Sequence, residues 1–181
     1  MKKILAVILA LAAVLSLAAC NSAVQLEGTL EEISKQVLDN TTTIEMMLGD
    51  TMEIDLADVD VAKYYIGVDP TDKVERAVFT EPMIGSIPFS LCLVKAAEGA
   101  DVDALKNEIL EGVDYRKWIC VAAEKVLVTN CGDTILMIMS TEEIVDDVYN
   151  AFNTVAAEKA EEPVTKAGEV MEQPELGIPT F

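Results

Sequence analysis

The stretch KVLVTNCGDTILMIMS, residues 125–140, constrains the architecture more than any other part of the chain. Apolar, β-branched-rich runs flank Asn130-Cys131-Gly132-Asp133, residue types that favour a tight reversal. The spacing therefore predicts a hairpin turning on those four residues. Its second run is apolar for five consecutive residues, Ile135 to Met139. A strand with one wet face alternates apolar and polar side chains. An unbroken run instead suits a central strand, or one covered on both faces.

The remaining periodicities build around this hairpin. KVERAVFTEP and GSIPFSLCLVKAA read as two further strands joined by a turn over residues 81–85. GTLEEISKQVLDN predicts a helix, with Thr29 and Glu32 in capping-box spacing and Leu30, Ile33, Val37 and Leu38 on one face. A short helix is expected over Val61–Ile66, ending before Gly67, and another in GADVDALKNEILEGV with Asp101 as its cap. STEEIVDDVYNAFNTVAAE is the most regular helical pattern. Ser140 and Glu143 have capping-box spacing, and Ile144, Val148, Phe152 and Val155 form the stripe. The order α-α-ββα-ββα predicts an α+β fold: a single antiparallel sheet of about four strands with helices packed on one face. Residues 29–157 form this single domain. From 158 to 181 the sequence is acidic, proline-containing and aperiodic, and is expected to be a disordered tail.

The front of the chain belongs to a different object. Met1-Lys2-Lys3 precedes an apolar run, Ile4 to Leu17, that falls short of the roughly 20 residues a bilayer span needs. Basic residues before it and small ones after it are the marks of a secretory signal. Leu17-Ala18-Ala19-Cys20 fits a lipobox, in which small residues admit the peptidase and the cysteine sulfur accepts a diacylglycerol. We expect residues 1–19 to be a lipoprotein signal peptide and residues 20–28 the lipidated Cys20 with a short tether. The chain is then lipid-anchored on the extracytoplasmic face of the cell membrane, because two or more acyl chains anchor stably where one does not.

Charge narrows the partners. The chain has 13 basic and 32 acidic residues, a formal charge of −19. Such a surface repels nucleic acid and anionic head groups. Beyond Cys20 the three cysteines Cys92, Cys120 and Cys131 are odd in number, so at most one internal disulfide can form. Cys92 in FSLCLV and Cys120 in WICVA read as small core residues, and Cys131 as an exposed turn residue.

FTEPMIGSIPFSLCLVKAAEGADVDALKNEI and VDYRKWICVAAEKVLVTNCGDTILMIMS resemble a family of small bacterial lipoproteins, the domain-of-unknown-function family numbered 4358. EPM, LVKA, GAD and RKWICV are the most specific pieces, and the resemblance extends over roughly Leu30 to Phe152. It implies a predicted lipoprotein without an assigned activity, so it carries no catalytic or binding residues.

Candidate chemistry is sparse. The chain contains no histidine, which removes Ser-His-Asp and Cys-His catalysis. Ser86 lacks the Ser-x-x-Lys spacing of a lysine-activated nucleophile. Asp55, Asp58 and Asp60 in EIDLADVD offer oxygen ligands, but without the glycine and distal glutamate of a calcium loop; capping explains them more simply. Arg116-Lys117-Trp118 joins two cations to the single tryptophan and is the candidate interaction patch. The competing reading has Trp118 and Ile119 plugging the core while the two cations answer nearby carboxylates. No cofactor is expected. These readings favour a non-catalytic surface module that binds a protein or small ligand. The alternatives are an extracytoplasmic enzyme using carboxylates or a metal, and an envelope assembly factor.

Overall fold

A computed structural model describes residues 25–84 and 87–168; the expected signal peptide, Cys20, Ser86 and residues 169–181 lie outside the described residues. Ten elements follow in order. They are α1 (Leu30–Asp39), β1 (Met52–Glu53), α2 (Val59–Ile66), β2 (Val74–Thr80), β3 (Ser90–Ala96), α3 (Val102–Gly112), β4 (Lys125–Cys131), β5 (Thr134–Ser140), α4 (Glu142–Val155) and β6 (Val164–Ala167). The strands form one antiparallel sheet in the order β1-β2-β3-β5-β4-β6. The expected α+β class and the two ββα units are present. The sheet has six strands where about four are expected, the additions being the short edge strands β1 and β6.

The helices pack on both faces of the sheet, not on one. Leu91, Leu93, Leu127, Leu136 and Ile138 point to the face covered by α1 and α4. Their neighbours Cys92, Val94, Val126, Val128, Ile135, Met137 and Met139 point to the face covered by α2 and α3. Successive side chains of a strand leave on opposite sides, so an all-apolar run is stable only between two covers. Every residue of β5 is buried accordingly. Each ββα unit thus sends its helix to a different side.

Local chemistry sets the element ends. Thr29 caps α1 in the expected capping box, its hydroxyl accepting from Glu32 N–H while Glu32 accepts from Thr29 N–H. Asp58 and Asp101 cap α2 and α3. The second expected capping box does not form. Ser140 ends β5 and its hydroxyl donates to Pro88 O at 2.6 Å, so α4 starts from Thr141 without a side-chain cap.

Two further expectations fail at strand ends. Asn130 and Cys131 belong to β4, and only Gly132 and Asp133 make the turn. Cys131 is therefore buried rather than exposed. The expected tail is also cut short, because Val164–Ala167 pairs with β4 in register Lys125↔Ala167 through Val128↔Val164. Four residues are too few for periodicity to reveal a strand. The ends of α2 and α3 meet at two glycines, where a Cβ on Gly112 would lie 2.1 Å from Gly67 O.

Candidate functional site

The turn after α3 decides where the candidate patch points. Asp114 holds it from both ends, its carboxylate accepting from Arg116 N–H at 2.9 Å and its carbonyl from Lys117 N–H at 3.2 Å. This reversal turns Lys117 inward. Its side chain is only 2% exposed, with Nζ 2.6 Å from Glu81 Oε1 and donating to Ser90 Oγ at 3.0 Å. Tyr64, Tyr65 and Trp118 surround the ammonium, their ring centres 4.7, 5.0 and 5.5 Å from Nζ. Tyr65 meets Tyr64 edge-on and stacks on Phe79.

Burial shifts three groups around the ammonium. Burial pushes both tyrosine hydroxyls up, and the nearby Glu81 carboxylate pushes them further. Burial also pushes the Cys92 thiol up to about 12, against the opposing pull of Lys117. Its Sγ–H is directed at Tyr65 O at 3.5 Å.

Ser90 and Lys117 stand at the distance of a nucleophile and its base, but Ser90 is fully buried and Lys117 answers Glu81. The cluster acts as a fixed strut. It ties the loop after β2, the start of β3 and the turn after α3 into one unit.

The three patch residues therefore separate. Lys117 points inward, Trp118 is half-buried against the α2/α3-side core, and Arg116 lies at the surface. The plug reading holds for the Lys117 charge, but it fails for Ile119, which is fully exposed. Cys120, expected in the core, is exposed as well, because the segment before β4 is a turn rather than the start of the strand. None of Cys92, Cys120 and Cys131 is in a disulfide. The acidic trio is used locally: Asp55 accepts from Ala57 N–H, Asp58 caps α2, and Asp60 lies in its first turn. Among the described residues no group of three or more metal-ligating side chains converges.

Reading along the chain misses two members of the cluster, Glu81 and Ser90. They lie 36 and 27 residues from Lys117, and only the sheet brings them together.

Around this strut the surface is apolar. Met83 and Ile84 in the loop after Glu81 are 68% and 79% exposed, with Met47 beside them through the Met83 N–H to Met47 O bond. Tyr64 is half-exposed. Arg116, Trp118 and residues 119–122 line a cleft of about 330 Å³. Residues 82–97 and 115–123 contain no acidic side chain, in a chain that has 32. Carboxylates nevertheless stand beside both stretches: Glu81 pairs with Lys117, Asp114 holds the turn, and Glu142 and Asp146 pair with Lys125 at the same end of the sheet.

The opposite end carries the start of the described chain. Gln25 donates to Asp133 in the β4–β5 turn, where Lys95 also pairs with Asp133 at 2.6 Å. β3 runs from Lys95 at that end to Ser90 at the other, about 17–20 Å of strand. Comparison with known proteins adds no relative: no family model, curated protein or solved structure matches the chain.

Proposed function

We propose that the chain is a lipid-anchored, non-catalytic module on the extracytoplasmic face of the cell membrane, binding a protein partner through the exposed apolar side chains at the Ile119 end of its sheet. The observation that carries this reading is the exposure of Ile119, Ile84 and Met83 around the Lys117–Glu81 strut. Large apolar side chains on a rigid frame lose little entropy when covered, and each contributes to binding in proportion to the area removed from water. The net charge of −19 over the rest of the chain disfavours contact with other acidic surfaces. The lipobox at Cys20 supports the anchor, and the resemblance to small bacterial lipoproteins agrees with it. The five residues from Cys20 to Gln25 reach at most about 18 Å. A domain tethered at the Asp133 end then presents its apolar end away from the membrane.

The test places a photo-crosslinking amino acid at position 119, with position 39 on exposed α1 as control, in intact cells. A discrete crosslinked protein from 119 and none from 39 is expected. Equal, diffuse labelling from both positions overturns the reading.

A further inference from the structure

The large apolar side chains exposed among the described residues all stand at one end of the sheet. Met83, Ile84 and Ile87 lie in the connection that leaves β2 after Thr80 and enters β3 at Ser90. Met47 is tied to that connection through its carbonyl, and Met52 pairs with Phe79, next to last in β2. Tyr64 lies against Lys117, whose ammonium rests on Glu81 and Ser90, and Ile119 follows two residues later. Among the described residues, the opposite end, around Asp133 and residues 97–101, exposes none. Large apolar side chains gathered at one place, rather than scattered singly, mark a surface that another molecule covers.

The charges around them select that molecule. Lys117 and Lys125 are each held by a carboxylate, Glu81 and Asp146. Asp114, Glu124 and Glu142 stand at the same end, and exposed Glu45 and Asp50 flank Met47. These five carboxylates outnumber Arg116, and the chain as a whole carries −19. A second copy brings the same −19, and an anionic lipid surface brings its own negative charge, so both are repelled. A basic surface is attracted. Complementary charge at the rim speeds encounter, while the buried apolar side chains supply the affinity.

We infer that this end receives a basic amphipathic segment of another protein. Its apolar side chains cover Ile119, Ile84 and Met83, and its Lys or Arg side chains meet the carboxylates around them. The inference rests on the reading of this end as a binding surface and names the chemistry of the partner. Trp118, the single tryptophan, is half-buried beside Ile119 and reports the contact.

The probe is a peptide of leucine and lysine in helical spacing, without aromatic residues; its counterpart carries glutamate in place of lysine. Each is titrated into the expected mature chain, residues 20–181, with Cys20→Ala to keep it free of lipid and detergent; every described residue is retained. The lysine peptide is expected to shift Trp118 emission saturably, and the glutamate peptide to leave it unchanged. Ile119→Asp with Met83→Asp, both at exposed side chains, is expected to weaken binding about tenfold. Glu45→Lys with Asp50→Lys is expected to weaken it about fivefold and to flatten its salt dependence. Glu98→Lys with Glu161→Lys makes the same change in charge at the Asp133 end and is expected to leave affinity within about twofold. Equal weakening by the two charge-reversed pairs overturns the inference, because overall charge then suffices. Equal response to the two peptides, or no response to the lysine peptide, overturns it as well. So does an emission change on concentrating the chain alone, which marks a second copy as the cover. The inference and the proposed function fail separately. Crosslinking from position 119 without preference for the lysine peptide removes only the basic chemistry of the partner. A lysine-peptide response that depends on Ile119 and Met83, without crosslinking, removes the partner in cells and keeps the chemistry of the surface.

Discussion

Lys117 carries its charge where water supplies almost none of its solvation. The ammonium is held instead by Glu81, Ser90 and three aromatic rings. Truncating one member of such a pair leaves the other charged and unpaired, the costly way to break a buried ion pair. Glu81→Ala is therefore expected to lower unfolding stability by about 3–5 kcal/mol, read as a fall in the urea midpoint at unchanged slope. Adding Lys117→Met to that variant removes the stranded charge, and the midpoint is expected to recover in large part. A second substitution that lowers the midpoint further refutes the strut. Little of this was legible along the chain. The triplet Arg116-Lys117-Trp118 stands out by composition, but which cation turns inward depends on the Asp114 turn, and on a glutamate 36 residues earlier.

Among elements, helix and strand identities were readable because each has its own period, and Thr29, Asp58 and Asp101 mark three helix starts. The second cap is not legible in the sequence because Ser140 has two uses, and tertiary structure directs its hydroxyl to Pro88. The side on which each helix lies is not a local property at all, although the unbroken run in β5 held the clue. One clasp between elements titrates. Asp147 on α4 accepts from the backbone N–H and the hydroxyl of both Thr42 and Thr43, binding the segment after α1 to α4. Burial pushes its carboxyl up, but these four bonds outweigh it and leave it below the usual aspartate value. Glu31 on α1 is also held low, chiefly by its hydrogen bond from Arg76 on β2. A carboxyl whose folded value is depressed stabilises fully above its unfolded value, about 4, and loses that contribution as pH falls through the folded value. Stability is thus expected to decline below about pH 4, and Asp147→Asn to make the decline shallower. Urea midpoints between pH 2 and 7 check this; parallel profiles would refute the clasp.

At the scale of the molecule, the two ends of the sheet have different chemistry. One holds Gln25 on Asp133, five residues after the expected lipid attachment; the other holds the apolar face around Ile119. Cys20→Ala is expected to abolish incorporation of labelled fatty acid and to release the protein from the membrane fraction. Continued lipid labelling would refute the lipobox.

β6 has a consequence of its own. Its pairing with Lys125 through Val128, and the nearby bonds of Glu161 and Thr129, occupy the outer rim of β4. Beneath that rim lies a strand apolar on both sides, joined to a second one. Stripped of residues 161–168, β4 offers an open row of backbone donors and acceptors to any like strand, the geometry from which cross-β stacks nucleate. The short closing strand is thus a guard against templated aggregation. Loss of residues 161–168 is expected to promote fibril-like assembly, read as a rise in thioflavin T fluorescence that the full chain does not give.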